Sequence, residues 1–147
     1  MSGHRKLAVV TGASSGIGAA TTKLLAKSGY QVIAGARRLD RLELLSAHNP
    51  NIEIHQLDVT NQSSVDEFVK VIQGREVDLL VNNAGGAFDS SSVLDSDPEI
   101  WAKSYEVNVI GAVRMTKALT PSMIKAGKGH IVIISSTAGH IAYWSQP

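Results

Sequence analysis

The chain of 147 residues has no cysteine, four prolines and few aromatics, and its formal net charge is only +1. Without cysteine there is no disulfide framework, no thiolate metal site and no cysteine nucleophile, so the redox compartment is unconstrained. The near-neutral balance gives no general electrostatic case for nucleic acid or an anionic membrane. Long apolar runs are missing too. A polar N-terminal segment leads into Leu7–Val10 (LAVV), which is too short for a signal-peptide core or a membrane span. The five histidines (His4, His48, His55, His130, His140) are scattered without metal-ligand spacing, so no metal site is expected. What is abundant is apolar residues, 44% of the chain, too many for a disordered segment. The expectation is a soluble, cytoplasmic protein with one domain over residues 1–147.

Apolar runs rich in β-branched residues alternate with amphipathic stretches. Strands are predicted over Lys6–Thr11, Gln31–Ala36, Ile52–Val59, Val77–Val81 and Ile131–Ser135. Between them, helices are predicted over Ile17–Ser28, Arg37–His48 and Ser64–Gln73, with a long helix, kinked or straight, from Pro98 to Ala126. The first helix places Ile17, Ala20, Leu24 and Leu25 at helical spacing. Ser64-x-x-Glu67 reads as a capping box opening the third, and Asp97-Pro98 as the start of the fourth. Residues 136–147 carry no recognisable element. Five strands separated by helical stretches predict an α/β doubly wound parallel sheet, a Rossmann-type fold with helices on both faces.

Between the first strand and the first helix lies Thr11-Gly12-Ala13-Ser14-Ser15-Gly16-Ile17-Gly18. Small residues there let the backbone approach a pyrophosphate, and the helix N-terminus offers free N–H groups. A glycine cluster alone is weak evidence, but its place between a core strand and an amphipathic helix is the context this motif requires. The second strand ends Gly35-Ala36-Arg37-Arg38, with no carboxylate before Asp40. An NAD site places an acidic residue at that point for the ribose 2′-hydroxyl. Two guanidiniums suit a 2′-phosphate instead, which favours NADP over NAD. The plainer alternative is a solvated basic helix start.

The spacing Thr-Gly-x3-Gly-x-Gly resembles the fingerprint of the short-chain dehydrogenase/reductase family, and further motifs extend the resemblance along the chain. Gly12, Ser14, Ser15, Gly16, Ile17 and Gly18 would form the phosphate cradle. Asp58 and Val59, in Leu57-Asp58-Val59, would lie beside the adenine. On the residues alone, Asp58 could equally cap the next turn. In Asn82-Asn83-Ala84-Gly85 the resemblance makes Asn82 mostly structural and Asn83, Ala84 and Gly85 cofactor-lining. Trp101, Tyr105, Asn108, Ala112, Met115 and Leu119 form one helical stripe, so Asn108 is expected to face the core. A buried amide needs partners and is either structural or part of a site. The family pattern Val-Asn-Val-x-Gly makes Asn108 catalytic, helping to hold a proton-relay water. In Ile-Ile-Ser-Ser-Thr-Ala-Gly, the resemblance makes Ser136 catalytic, bonding the substrate oxygen without acting as a nucleophile. His140, Tyr143 and Trp144 fall near the expected substrate side, where surface or packing roles are equally open.

The family's proton transfer relies on a Tyr-x3-Lys pair. Tyr30, Tyr105 and Tyr143 are followed four positions later by Ala34, Val109 and Pro147, so none carries the lysine. The resemblance places that pair just beyond residue 147. The expectation is therefore a cofactor-binding portion, incomplete at its C-terminus, of an NADP-dependent oxidoreductase acting on a small-molecule carbonyl or alcohol. The longer form is expected to be a homo-oligomer. Two alternatives stand beside it: a non-catalytic dinucleotide binder, and one half of a split or oligomeric assembly.

Overall fold

The structure is a computed structural model that describes residues 5–140. Tyr143 and Trp144, singled out as possible cleft residues, lie outside the described residues. Five strands, β1 Leu7–Thr11, β2 Gln31–Ala36, β3 Ile52–Gln56, β4 Leu79–Asn82 and β5 His130–Ile133, form one sheet of order β3-β2-β1-β4-β5. Every pairing is parallel. The order reverses at β1, which lies between β2 and β4, so the strand ends diverge there and leave a crevice.

Because strand side chains alternate, β1 feeds two cores at once. Leu7 and Val9 enter a cluster with Leu57, Phe68, Leu80, Met115 and Leu119. Ala8 and Val10 face the opposite layer with Ala26, Val32, Leu42 and Ile52. The first cluster packs under helices α3 (Gln62–Ile72) and α5 (Gly111–Ala126), the second under α1 (Gly16–Lys27) and α2 (Leu39–Ser46). The doubly wound layers expected from the sequence are present.

Several local expectations change. In α1 the packed face is Gly18, Thr22 and Ala26, while Ile17, Ala20 and Leu24 are exposed and Leu25 is half-buried. The helix sits too close to the sheet for large side chains, so small residues take the contact. Helix α3 starts before Ser64. Asn61 is its N-cap, with Oδ1 accepting from the Ser64 N–H at 3.0 Å. The Ser64 hydroxyl instead accepts from the Asp58 N–H at 3.0 Å and fixes the exit from β3. Asp97 caps α4 (Pro98–Tyr105) as expected, accepting from the Glu99 N–H.

The long helix is neither straight nor simply kinked. A π-helical segment, Glu106–Ile110, separates α4 from α5. Wider π turns advance fewer degrees per residue, so the buried stripe of α5 (Gly111, Met115, Leu119, Met123) does not continue back through the earlier positions. Trp101, Tyr105 and Asn108 are exposed. The expectation that Asn108 faces the core is therefore corrected. A 3₁₀ turn, Thr137–Gly139, also occupies a stretch expected to hold no element.

Candidate functional site

At the C-terminal ends of the strands an open cleft of about 1440 Å³ runs from Arg37 and Arg38 past Asp58 to Asn108 and Ser136. Its floor is the meeting of β1 and β4. The Thr11 hydroxyl, buried at the end of β1, accepts from the backbone N–H groups of Asn83 at 3.1 Å and Ala84 at 3.0 Å. The Asn83 amide donates back to the carbonyls of Thr11 at 3.0 Å and Gly12 at 3.2 Å. So Asn83 lines the cleft while its amide locks the two strand ends together. That an amide here satisfies backbone groups accords with the sequence, but the role of the Thr11 hydroxyl and the identity of the Asn83 partners are not legible there, because they lie some seventy positions away.

That closeness dictates the glycines. Gly12 has φ +65°, and a Cβ there would lie 2.7 Å from Ala84 Cα. A Cβ on Gly18 would strike the Gly12 carbonyl and the Asn83 amide. Gly18 is buried and is not part of the cleft wall; it lets α1 approach. Gly12, Ser14, Ser15, Gly16 and Ile17 do line the cleft.

The N-terminus of α1 is left bare. Its N-cap Ser15 makes no side-chain capping bond, and the first turn holds no acidic residue. Unpaired N–H groups and the positive end of the helix dipole therefore face the cleft. Beside them Arg38 donates to the hydroxyls of Ser14 at 3.2 Å and Ser15 at 3.1 Å. This arrangement fits a phosphorylated dinucleotide. A pyrophosphate matches the bare helix end, and the guanidinium and hydroxyls beyond it match a further phosphate.

Asp58 and Val59 form the next wall. Asp58 Oδ1 accepts from the Thr60 N–H at 3.0 Å and the Thr60 hydroxyl at 2.7 Å, so it caps the turn after β3. Burial pushes its carboxyl upward, but those Thr60 bonds and the charges of Arg37 and Arg114 outweigh it and hold the carboxyl below its ordinary range. It is a fixed anion at the cleft wall.

At the far end, Asn108 grips one peptide twice. Its Oδ1 accepts from the Gly86 N–H and its Nδ2 donates to the Gly86 carbonyl, both at 2.9 Å. A Cβ on Gly85 would collide with that Oδ1. Ser136 also lines the cleft, its Oγ accepting from the Ala138 N–H at 3.2 Å. Beneath this end Asn82 is buried and donates to the Thr116 hydroxyl at 3.0 Å, which fits its expected structural role. Among the described residues no group of three or more His, Asp or Glu side chains could hold a metal ion. No described helix is long and apolar enough to cross a membrane.

Comparison with known proteins agrees with this geometry. The NADP-dependent 3-hydroxy acid dehydrogenase YdfG of Escherichia coli is 37% identical over 140 residues, covering 93% of this chain and 56% of that protein. The glycine betaine reductase ATRR of Emericella nidulans is 41% identical over 140 residues, covering 91% of this chain and 11% of that larger protein. Among solved structures, a serine dehydrogenase in its closed form with NADP+ superposes with a TM-score of 0.90 at 36% identity, covering 95% of this chain and 57% of that one. An actinorhodin polyketide ketoreductase with NADPH gives 0.88 at 31%, covering 96% and 57%. The chain thus spans little more than half the length of the dehydrogenases it matches. The short chain dehydrogenase family pattern runs from residue 6 to residue 147, so the chain belongs to this family.

Proposed function

We propose that this chain is the cofactor-binding portion of an NADP-dependent oxidoreductase that moves a hydride between the dinucleotide and a small-molecule carbonyl or alcohol. The observation that carries the reading is the bare N-terminus of α1 with Arg38 held over Ser14 and Ser15 beside it. No carboxylate ends β2, where a free ribose 2′-hydroxyl would need one. The NADP named for the dehydrogenase relative and the superposed structure supports the same choice.

When bound, the dinucleotide supplies or accepts the hydride; this chain's residues bind and orient. Gly12, Gly16 and the α1 N-terminus take the pyrophosphate, with Ser14, Ser15, Ile17 and Gly18 shaping the loop. Arg37 and Arg38 take the 2′-phosphate. Asp58 and Val59 wall the adenine, and Asn83, Ala84 and Gly85 line the ribose and nicotinamide end. Asn108, the candidate for holding a proton-relay water, uses both polar atoms of its side-chain amide on Gly86, which supports its being held in place beside that end. Ser136 Oγ spends a lone pair on the Ala138 N–H, which keeps its hydroxyl hydrogen for a substrate oxygen.

No tyrosine in the 147 residues is followed four positions later by lysine. Turnover on this reading needs that pair from a further segment or a second chain, and the chain by itself binds without turning over. The exposed apolar residues Trp101, Tyr105, Val109 and Val113 support self-association in the longer form. Hydroxy acids and the matching keto acids are the first substrates to try, given the relatives' names.

The test is a fluorescence titration of NADPH and NADH with this chain and with Arg38→Met. NADPH is expected to bind about tenfold more tightly than NADH, and Arg38→Met to erase most of that difference. Equal affinities in the unsubstituted chain would remove the 2′-phosphate argument. Absence of NADPH binding would sink the whole reading. Binding combined with turnover by this chain alone would overturn the need for the Tyr/Lys pair.

A further inference from the structure

One side chain joins the two ends of the cleft while lining neither. Arg114 stands in the first turn of α5, with 22% of its side chain exposed. Its Nη1 donates to the Val59 carbonyl at 3.2 Å and pairs with Glu106 Oε1. Val59 belongs to the wall after β3. Glu106 opens the π segment on which Asn108 stands. The approach is close because position 111 is glycine; a Cβ there would lie 2.6 Å from Val59 Cγ2. The charge of Arg114 also acts on Asp58 in the same wall.

A π turn is a looser helical register than the α-helix flanking it, and the phase of every side chain on it depends on where the turn sits. Asn108 must meet both polar groups of the Gly86 peptide at 2.9 Å. A slip of the turn by one residue would lose both bonds. The Glu106–Arg114 pair spans the turn and ties its start to the following helix, and the Val59 carbonyl anchors the same guanidinium to the sheet side. We infer that Arg114 is a positioning residue: it couples the Asp58–Val59 wall to the π turn, so that filling the adenosine end steadies the Asn108–Gly86 clamp. The coupling rests on the cofactor reading for its adenosine half. The Arg114–Asn108 half stands on this chain's own contacts.

The experiment uses the full 147-residue chain, adenosine 2′,5′-bisphosphate as probe, calorimetry for affinity and hydrogen exchange at the Gly86 amide, which donates to Asn108. In the unsubstituted chain the probe slows exchange at Gly86. Without probe, Arg114→Met speeds exchange at Gly86 relative to the β1 amides. With probe, it weakens binding by about three- to fivefold and abolishes the slowing. Arg114→Lys restores part of both effects. Arg75→Met removes a comparable ion pair with Glu53 on β3, away from the π turn, and leaves both readouts at their original values. A role confined to general stability would instead speed exchange throughout and leave the affinity of the folded fraction unchanged, which overturns the inference. Should Arg114→Met not fold, Glu106→Gln is read in the same way, with smaller changes of the same sign expected. If the unsubstituted chain binds no nucleotide, the cofactor reading falls. Unaltered ligand-free exchange at Gly86 in Arg114→Met would overturn the coupling separately.

Discussion

β3 and β5 stand at opposite edges of one sheet and are built in opposite ways. On β3, Glu53 and His55 alternate with the apolar positions Ile52 and Ile54. Glu53 accepts from Arg75 and pairs with His55, both at 2.8 Å. Charge on an edge strand discourages pairing with another chain. On β5 the run Ile131, Val132 and Ile133 is apolar, and each residue is exposed by 41% or more. Such a run is typical of a strand buried on both faces inside a parallel sheet. β3 is an edge by its own sequence. β5 is an edge only by its position among the described residues.

The sharpest way to break this contrast uses one residue type in two environments. Ile33 on β2 is 0% exposed and Ile133 on β5 is 59% exposed. Ile33→Ala is expected to cost about 2–5 kcal/mol, because it removes packed methyl groups and leaves a cavity. Ile133→Ala is expected to cost under about 1 kcal/mol, since half or more of that surface already meets water. Urea unfolding of both variants measures the difference. Equal losses would mean that β5 is covered in solution and that the contrast is false.

A smaller effect is expected from exchanging the character of the edges. Val132→Lys puts a charge on the bare strand. It should lower concentration-dependent association in sedimentation runs while shifting stability by only about 0.5 kcal/mol. Glu53→Val, which strips the guarded strand, should raise association. If Val132→Lys leaves association untouched, the β5 edge is not what brings chains together, and the exposed side of α4 becomes the surface to alter next.

The same contrast explains what could be read in advance. The layer order follows from alternation of apolar strands and amphipathic helices, which is local in sequence, so all five strands appear within a few residues of their expected places. The cradle was legible because its glycine spacing is a local pattern between a strand and a helix, although Gly12 and Gly18 also answer to Ala84 and Asn83 across the strand ends. Features that depend on distant partners were not. Nothing near Asn83 announces that its amide will bind the carbonyls of Thr11 and Gly12. Nothing near Ser64 announces that its hydroxyl will serve Asp58 while Asn61 caps the helix. The stripe through Asn108 failed because strict helical periodicity was carried across a π turn, which resets the phase of everything before it. The exposed, clamped Asn108 is the result.

The guarded edge also carries a pH signature in Glu53. Burial raises the Glu53 carboxyl, but hydrogen bonds from His55 and Arg75 and their charges outweigh it, so the folded value lies below the ordinary glutamate range. A depressed folded value means that the unfolded chain binds the proton more readily. The stabilisation from Glu53 is therefore fully present above the ordinary glutamate value and lost as pH falls through the depressed one. Its size is small, about 0.5 kcal/mol, because both partners are about one-third exposed and solvent screens them. Asp58 titrates in the same direction, so the measurement must be a difference between the unsubstituted chain and Glu53→Gln, in which Asp58 cancels. That difference in unfolding free energy should be present above the ordinary glutamate value and fall away as the pH drops through and below it. It should also shrink in high salt. The corresponding difference for Ile133→Ala should be flat across the same range, since no titrating group is removed. A slope in Ile133→Ala, or none in Glu53→Gln, would mean that the charges on β3 do not distinguish the two edges energetically.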